Sequence, residues 1–303
     1  MSYEPMGIPV YAMKMDKKYV INKLYKKGNI RFYTPEKWVC REIEAGLGQG
    51  DRFEGTFAID YDTNREVYYR KKYGRDLVVN RYNDIKYYQL KSTLKTPTYC
   101  FYSLMDSHLN HKAEILNNGI YEFDSQVTKD FFKDFSAASV SSELLSDDER
   151  PALLIIVGSR NIMEFVRRIK AALKMEYKLN DNNIIVDQVK YDYSRNNTID
   201  YYCDRKHPPL ELFCKNDFLS YQRETRIIIN SHKHKLERGE YLEINVGSLE
   251  DISVMKNIIS LEDQKLKFTA TVTTLQEKYD RDGYIQQGYD YFDIDGSLKK
   301  DKL

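Results

Sequence analysis

The run Ala152-Leu-Leu-Ile-Ile-Val157 leaves this chain the least freedom. Six consecutive apolar residues are too few for a helix of ordinary length and far short of the ~18 needed to cross a bilayer. Rich in branched side chains and bounded by Pro151 and Gly158, the run predicts a buried-type strand. Beyond Gly158-Ser159 the spacing predicts a helix over about 161–176, so this part of the chain reads as strand feeding helix.

The same signals order the rest. Asp16 is placed to cap a helix on which Val20, Ile21, Leu24 and Tyr25 recur at helical spacing, and Gly28 stops it. Residues 29–34 read as a strand, and Thr34-Pro35 opens a helix that passes Trp38 and Ile43 to Gly46. From Phe53 to Leu104, short strands at 57–61, 67–70, 77–79, 85–90 and 99–102 alternate with turn clusters and predict an antiparallel meander. Further strands are expected at 183–191, 225–229, 241–246 and 266–273, with a short helix over Ser248–Asn257. The expected fold is α+β: mixed, mainly antiparallel sheets with flanking helices. One domain spans 1–275, with an inserted basic β-meander at about 56–98 and an exposed acidic loop at about 136–150, followed by a polar tail at 276–303.

Composition bounds the class. With 303 residues, 42% of them hydrophobic and 31% charged, the chain can bury a sizeable core. No long apolar run is present, so no membrane span is expected, and Met1–Val10 lacks the basic and apolar parts of a secretory signal. Cys40, Cys100, Cys203 and Cys214 are scattered without a Cys-x-x-Cys pair. A reduced, cytoplasmic chain is the simple reading, and a Cys203–Cys214 disulfide the less simple one. The net charge is only +1, yet it is unevenly spread. Residues 65–95 hold nine Lys or Arg against three acids, a balance of +6, and residues 121–149 hold two Lys against eight acids, a balance of −6. The basic block is interleaved with Tyr68, Tyr69, Tyr73, Tyr82, Tyr87 and Tyr88. It suits a protein or nucleic-acid partner, and more plainly a twisted hairpin with charged outer faces and tyrosines packing across strands. Association with a second copy of the chain stays open.

The densest constellation is Tyr221-Gln-Arg-Glu-Thr-Arg-Ile-Ile-Ile229. Strand alternation puts Gln222, Glu224 and Arg226 on one face, with Ile227 and Ile229 on the other. A carboxylate two residues after an amide, at the mouth of a buried strand, can hold a ribose and steady an oxocarbenium-like transition state. The plainer reading is an edge strand on which Glu224 pairs with Arg223 or Arg226 at the surface. Asp51 and Glu54 bracket Phe53 and could line the same pocket, or simply cap a turn. Gly46-x-Gly48-x-Gly50 lacks the rest of a phosphate-binding motif, and Gly158-Ser159-Arg160 reads as a connection before it reads as an anion site. His108-x-x-His111 and His232-x-His234 fit no zinc spacing with the cysteines, so no metal site is expected.

The Gln222-x-Glu224 strand resembles the third motif of ADP-ribosyltransferases, in which Gln-x-Glu or Glu-x-Glu opens a strand. Over about residues 16–260 the chain also resembles a bacterial domain family of unassigned function, through four short signatures in order. They are Lys27-Gly-Asn-Ile-Arg31-Phe32, Gly50-Asp51-Arg-Phe53-Glu54-Gly55, Cys100-Phe101-Tyr-Ser103, and Phe218-Leu-Ser-Tyr221-Gln-Arg-Glu224-Thr-Arg226. Arg52 stands where that family carries proline, and Asp106-Ser-His108 stands where it carries Trp-x-x-Tyr. The resemblance implies an ADP-ribosyltransferase-like core with NAD as co-substrate and a macromolecular target. Glu224 would be the catalytic carboxylate and Gln222 would orient ribose or target. Arg31 would hold a phosphate, with Tyr33, Asp51 and Glu54 completing the cofactor site. The departures point instead to a protein without chemistry that binds and blocks a partner, for example in phage–host conflict.

Overall fold

A computed structural model describes residues 9–45, 51–60, 65–105, 114–117, 120–126, 146–191, 209–215, 217–257 and 265–271. The first half contains β1 (Pro9–Lys17), α1 (Lys18–Lys27), β2 (Asn29–Phe32), α2 (Pro35–Ala45), β3 (Thr56–Asp60) and α3 (Arg65–Tyr73). It continues through β4 (Leu77–Tyr82), β5 (Ile85–Leu90), α4 (Lys91–Leu94), β6 (Thr98–Met105), β7 (Glu114–Asn117) and β8 (Ile120–Gln126). The second half contains β9 (Pro151–Val157), α5 (Ser159–Tyr177), β10 (Ile184–Gln188), β11 (Lys190–Tyr191) and β12 (Cys214–Lys215). It ends with β13 (Glu224–Ile229), β14 (Leu242–Asn245), β15 (Ser253–Asn257) and β16 (Lys265–Thr271). The protein is α+β, and no helix among the described residues is long and apolar enough to cross a membrane.

A six-stranded sheet, ordered β10-β13-β6-β1-β9-β15 and antiparallel throughout, organises the chain. The expected strand at 152–157 lies inside it, with all seven residues of β9 buried. The pleat divides each strand between two environments. One face gathers Ala12, Tyr99, Phe101, Leu154, Ile156, Ile227 and Ile229 against Ile21 and Leu24 of α1 and Phe165, Ile169 and Leu173 of α5. Each such side chain fully removed from water contributes about 1.5–3 kcal/mol, which is what holds α5 on the sheet. The two-stranded pair β2–β14 closes the same core with Ile30, Phe32, Leu242 and Ile244. The opposite face carries Cys100, Glu224, Arg226 and Ile228.

Gly28 ends α1 in the left-handed region, at φ 67°, and its N–H caps the Leu24 carbonyl. A Cβ there would lie 1.9 Å from the Gly247 carbonyl oxygen, so only glycine lets the 245–249 segment cross the helix end.

Four expectations change. Asp16 does not cap α1: it lies in β1, whose next residue, Lys17, occupies the cap position with no side-chain bond. β1 itself, a central strand, was not expected. Its alternation is blurred because Lys14 points into the α-helical side, where its Nζ lies 4.9 Å from the Tyr99 ring centre and donates to the Cys100 carbonyl. Residues 67–70 belong to a helix, because Tyr69 and Tyr73, four apart, bury one stripe while Arg70 pairs with Glu66 across a turn. The helix expected over Ser248–Asn257 does not form: 248–252 is loop and turn, and Ser253–Asn257 is β15, whose Val254 and Met255 fill an edge position beside Ile155 and Leu154. The basic insertion therefore contains a small sheet, β3-β5-β4, with α3 packed on it through Phe57, Tyr69, Tyr73 and Tyr88.

At the start of α1, Lys17 and Lys18 pair with Glu149 and Asp147 of the acidic stretch. The rest of that stretch at 136–145, the Gly46–Gly50 loop, His108, His111, Cys203 and the tail at 276–303 lie outside the described residues. His232 and His234 sit in a short 3₁₀ turn, where the His234 ring bonds Ser231.

Candidate functional site

β13 is an interior strand, between β10 and β6, and not the edge strand of the plainer reading. A 3₁₀ turn over Asp217–Gln222 and a left-handed Arg223, at φ 42°, deliver Glu224 to its first position. From there the alternation is as the sequence implies. Thr225, Ile227 and Ile229 face the α-helical core, and Glu224, Arg226 and Ile228 face the other way. Ile228 packs on Leu212 and Phe213, which anchors the 209–215 segment over this face and brings Lys215 with it. The 51–56 turn arrives from the other side, held by Gln89, whose amide donates to the Glu54 carbonyl at 2.7 Å.

What these segments bury is an ionic network. Arg226 is 0% exposed, and all five of its N–H groups are used. Nη1 donates to Glu54 Oε1 and to the Leu212 carbonyl. Nη2 donates to Glu54 Oε2 at 2.9 Å and to Glu224 Oε2 at 2.8 Å, and Nε donates to Glu224 Oε2 at 3.0 Å. The guanidinium lies 5.6 Å from the centre of the Trp38 ring. Lys215 Nζ donates to Glu224 Oε1 and to Gln222 Oε1, each at 2.8 Å, and stands 3.9 Å from Glu54 Oε2. Two carboxylates therefore meet two cations. That balance is what makes burial of four charges tolerable, and removing one partner from such a set typically costs 3–5 kcal/mol.

The electrostatics follow. Burial pushes the Glu224 carboxyl up, but the charges and hydrogen bonds of Lys215 and Arg226 outweigh it and hold the group down at about 2. Burial would also lower the Lys215 ammonium, yet Glu224, Glu54 and Asp51 keep it above its usual value. Asp51 behaves in the opposite sense. Buried beside the Glu54 charge, it is pushed up to about 6. Its Oδ1 accepts from the Phe53 N–H at 2.9 Å, while its buried Oδ2 has no hydrogen-bond partner among the described residues.

The structure thus brings together four of the residues singled out from sequence: Glu224 and Glu54 on Arg226, Gln222 through Lys215, and Asp51 at the margin. It does not bring Arg31 or Tyr33 to them. Ile30 and Phe32 take the core side of β2, so Arg31 points outward. It pairs with Glu243, opposite it on β14, and its guanidinium covers the Tyr241 ring at 4.5 Å. Tyr33 bridges Thr98 through its backbone, and its ring lies 5.9 Å from that of Tyr241. Among the described residues, the contacts of Arg31 are thus with Glu243 and Tyr241, and those of Glu224 are with Lys215 and Arg226. Sequence reasoning missed Lys215 and Trp38. Neither carries a local signal, since Lys215 sits in a two-residue strand and Trp38 occupies an ordinary helical position.

Chemically, Glu224 is a carboxylate whose charge Lys215 and Arg226 favour, with three of its roughly four acceptor positions occupied. Its side chain is 11% exposed, the most accessible of the four ionised groups in the network. The chain matches no family model, no curated protein and no solved structure.

Proposed function

We propose that this protein acts by binding a macromolecular partner, with the Glu224–Arg226–Glu54–Lys215 network as the brace that fixes its fold. One observation carries this reading: the Glu224 carboxylate is held by Lys215 and Arg226 inside the protein, while Arg31 is committed to Glu243 on another sheet. A carboxylate that must stabilise a developing cation works best when it is not already neutralised by two others. The test is NAD consumption by the purified protein, with and without cell lysate as a source of targets. The binding reading expects no loss of NAD and no difference between wild type and Glu224→Gln. NAD loss that vanishes in a folded Glu224→Gln variant would overturn it.

The second reading is an ADP-ribosyltransferase-like enzyme using NAD, and a specific observation favours it. Glu224 stays charged, follows Gln222 at the mouth of a strand, and keeps one acceptor position on Oε1. In that reading Gln222 and Glu224 meet the ribose, and Lys215 tunes the carboxylate. Arg31 and Tyr33 would then have to reach the cofactor from the Tyr241 side. The same assay decides between the two.

A further inference from the structure

Resting on the binding reading, we infer that the outward face of α3 is a docking surface for an acidic protein segment that carries an apolar anchor. The helix buries Tyr69 and Tyr73 against Phe57 and Tyr88, with the Phe57 ring 5.3 Å from Tyr69 and 5.2 Å from Tyr73. The opposite face therefore points to solvent and carries Val67, Tyr68 and Lys71. Val67 is 74% exposed and Tyr68 51% exposed. Among the described residues no large apolar side chain is more exposed than Val67. Adjacent exposed aliphatic and aromatic groups at the centre of a charged patch are what a partner's apolar side chain can cover.

Among the described residues, the carboxylates beside them are engaged by other groups. Glu66 turns to Arg70 at 2.7 Å and to Lys86 at 3.0 Å. Asp76 turns to Ser92, accepting from its N–H at 2.9 Å and its hydroxyl at 2.7 Å. Lys71 and Arg75 are exposed and have no ion-pair partner among the described residues. Lys72 Nζ lies 5.7 Å from the Tyr68 ring centre and 5.4 Å from that of Tyr73. Complementarity therefore calls for carboxylates flanking an apolar residue.

A single nucleic-acid strand fits this face less well. Stacking needs successive open rings, and among the described residues of this face only Tyr68 offers one. Tyr69, Tyr73, Tyr87 and Tyr88 are buried, and Tyr82 lies on the other face of the small sheet, its ring 3.6 Å from the Arg52 guanidinium.

The experiment measures fluorescence anisotropy of three labelled probes with the full chain. These are an acidic peptide with Leu and Phe at helical spacing, polyglutamate of equal length, and single-stranded oligo(dT). The acidic-apolar peptide should bind most tightly. Its affinity should fall about tenfold or more in Lys71→Glu/Arg75→Glu and in Val67→Ser/Tyr68→Ser. The first variant should also flatten the salt dependence. All four positions are exposed, so circular dichroism and melting should stay as in wild type. Tighter binding of oligo(dT), equal binding of polyglutamate, no binding of any probe, or indifference to both variants would each overturn the proposal. Failure of the binding reading looks different. It appears as Glu224-dependent NAD loss, whatever these probes do.

Discussion

Arg226 and Glu54 stand 172 positions apart in the chain and meet as a two-pronged ion pair with neither side chain more than 1% exposed. The pair ties the 51–56 turn to an interior strand of the main sheet, and Glu224 and Lys215 complete it from the strand's mouth and from the 209–215 segment. Most of what can be tested about this protein's stability and activity passes through that contact.

Removing the guanidinium should be the most damaging single change in the network. Arg226→Ala leaves Glu54 and Glu224 facing each other with only Lys215 between, and should cost about 3–5 kcal/mol. Arg226→Lys should recover little, because one ammonium cannot supply the five donors in their planar fork. Urea unfolding measures both, and a loss below about 1 kcal/mol for Arg226→Ala would contradict the network's role.

Glu224→Gln should be milder. Arg226 keeps its paired bonds to Glu54, and the single amide oxygen can still accept from Lys215 or from Arg226, though not from both sides as the carboxylate does. A loss of roughly 1–3 kcal/mol is expected, the range for one weakened, mostly buried charged hydrogen bond. Partner binding should persist, since the stabilised fold survives. A variant that is fully stable yet biologically inert would return the weight to chemistry at Glu224.

The pH dependence separates two carboxyls of opposite sign. Glu224, held down at about 2, contributes stability that is present above its ordinary value of 4.5 and is lost as pH falls towards 2. Asp51, pushed up to about 6, favours the folded state below its ordinary 3.8 and withdraws that favour as pH rises through 6. The Asp51 effect is on the order of 3 kcal/mol. Asp51→Asn should therefore match wild type near pH 4 and exceed it at pH 7.5. Equal stabilities at pH 7.5 would show that Asp51 is not buried as an unpaired acid.

Two glycines with similar backbone angles should respond differently to alanine. Gly28 at φ 67° faces the Gly247 carbonyl, whereas Gly74 at φ 55° has open space around it. Gly74→Ala should cost only the left-handed conformation, about 1–2 kcal/mol. Gly28→Ala must also push backbone apart and should melt well below it. Equal melting temperatures would mean that the helix end yields freely.

Much of this arrangement is legible locally. The period of two along 224–229 already assigns Glu224 and Arg226 to one face and Ile227 and Ile229 to the other, because strand geometry leaves no alternative. The apolar run at 152–157, the helix after it and the stop at Gly28 were equally determined by residue chemistry. Tertiary structure decided what the two faces meet. Val254 and Met255 became strand because an edge position beside β9 was open, and 67–70 became helix because Tyr69 and Tyr73 had a sheet to cover. β1 took a central place although Lys14 breaks its pattern, since its neighbours β6 and β9 satisfy its backbone on both sides. Above all, nothing near Glu224 announces Lys215, and Glu54, a candidate for the same pocket, carries no sign that Arg226 is its partner. A buried charge demands a partner, but only the folded chain determines which distant segment supplies it.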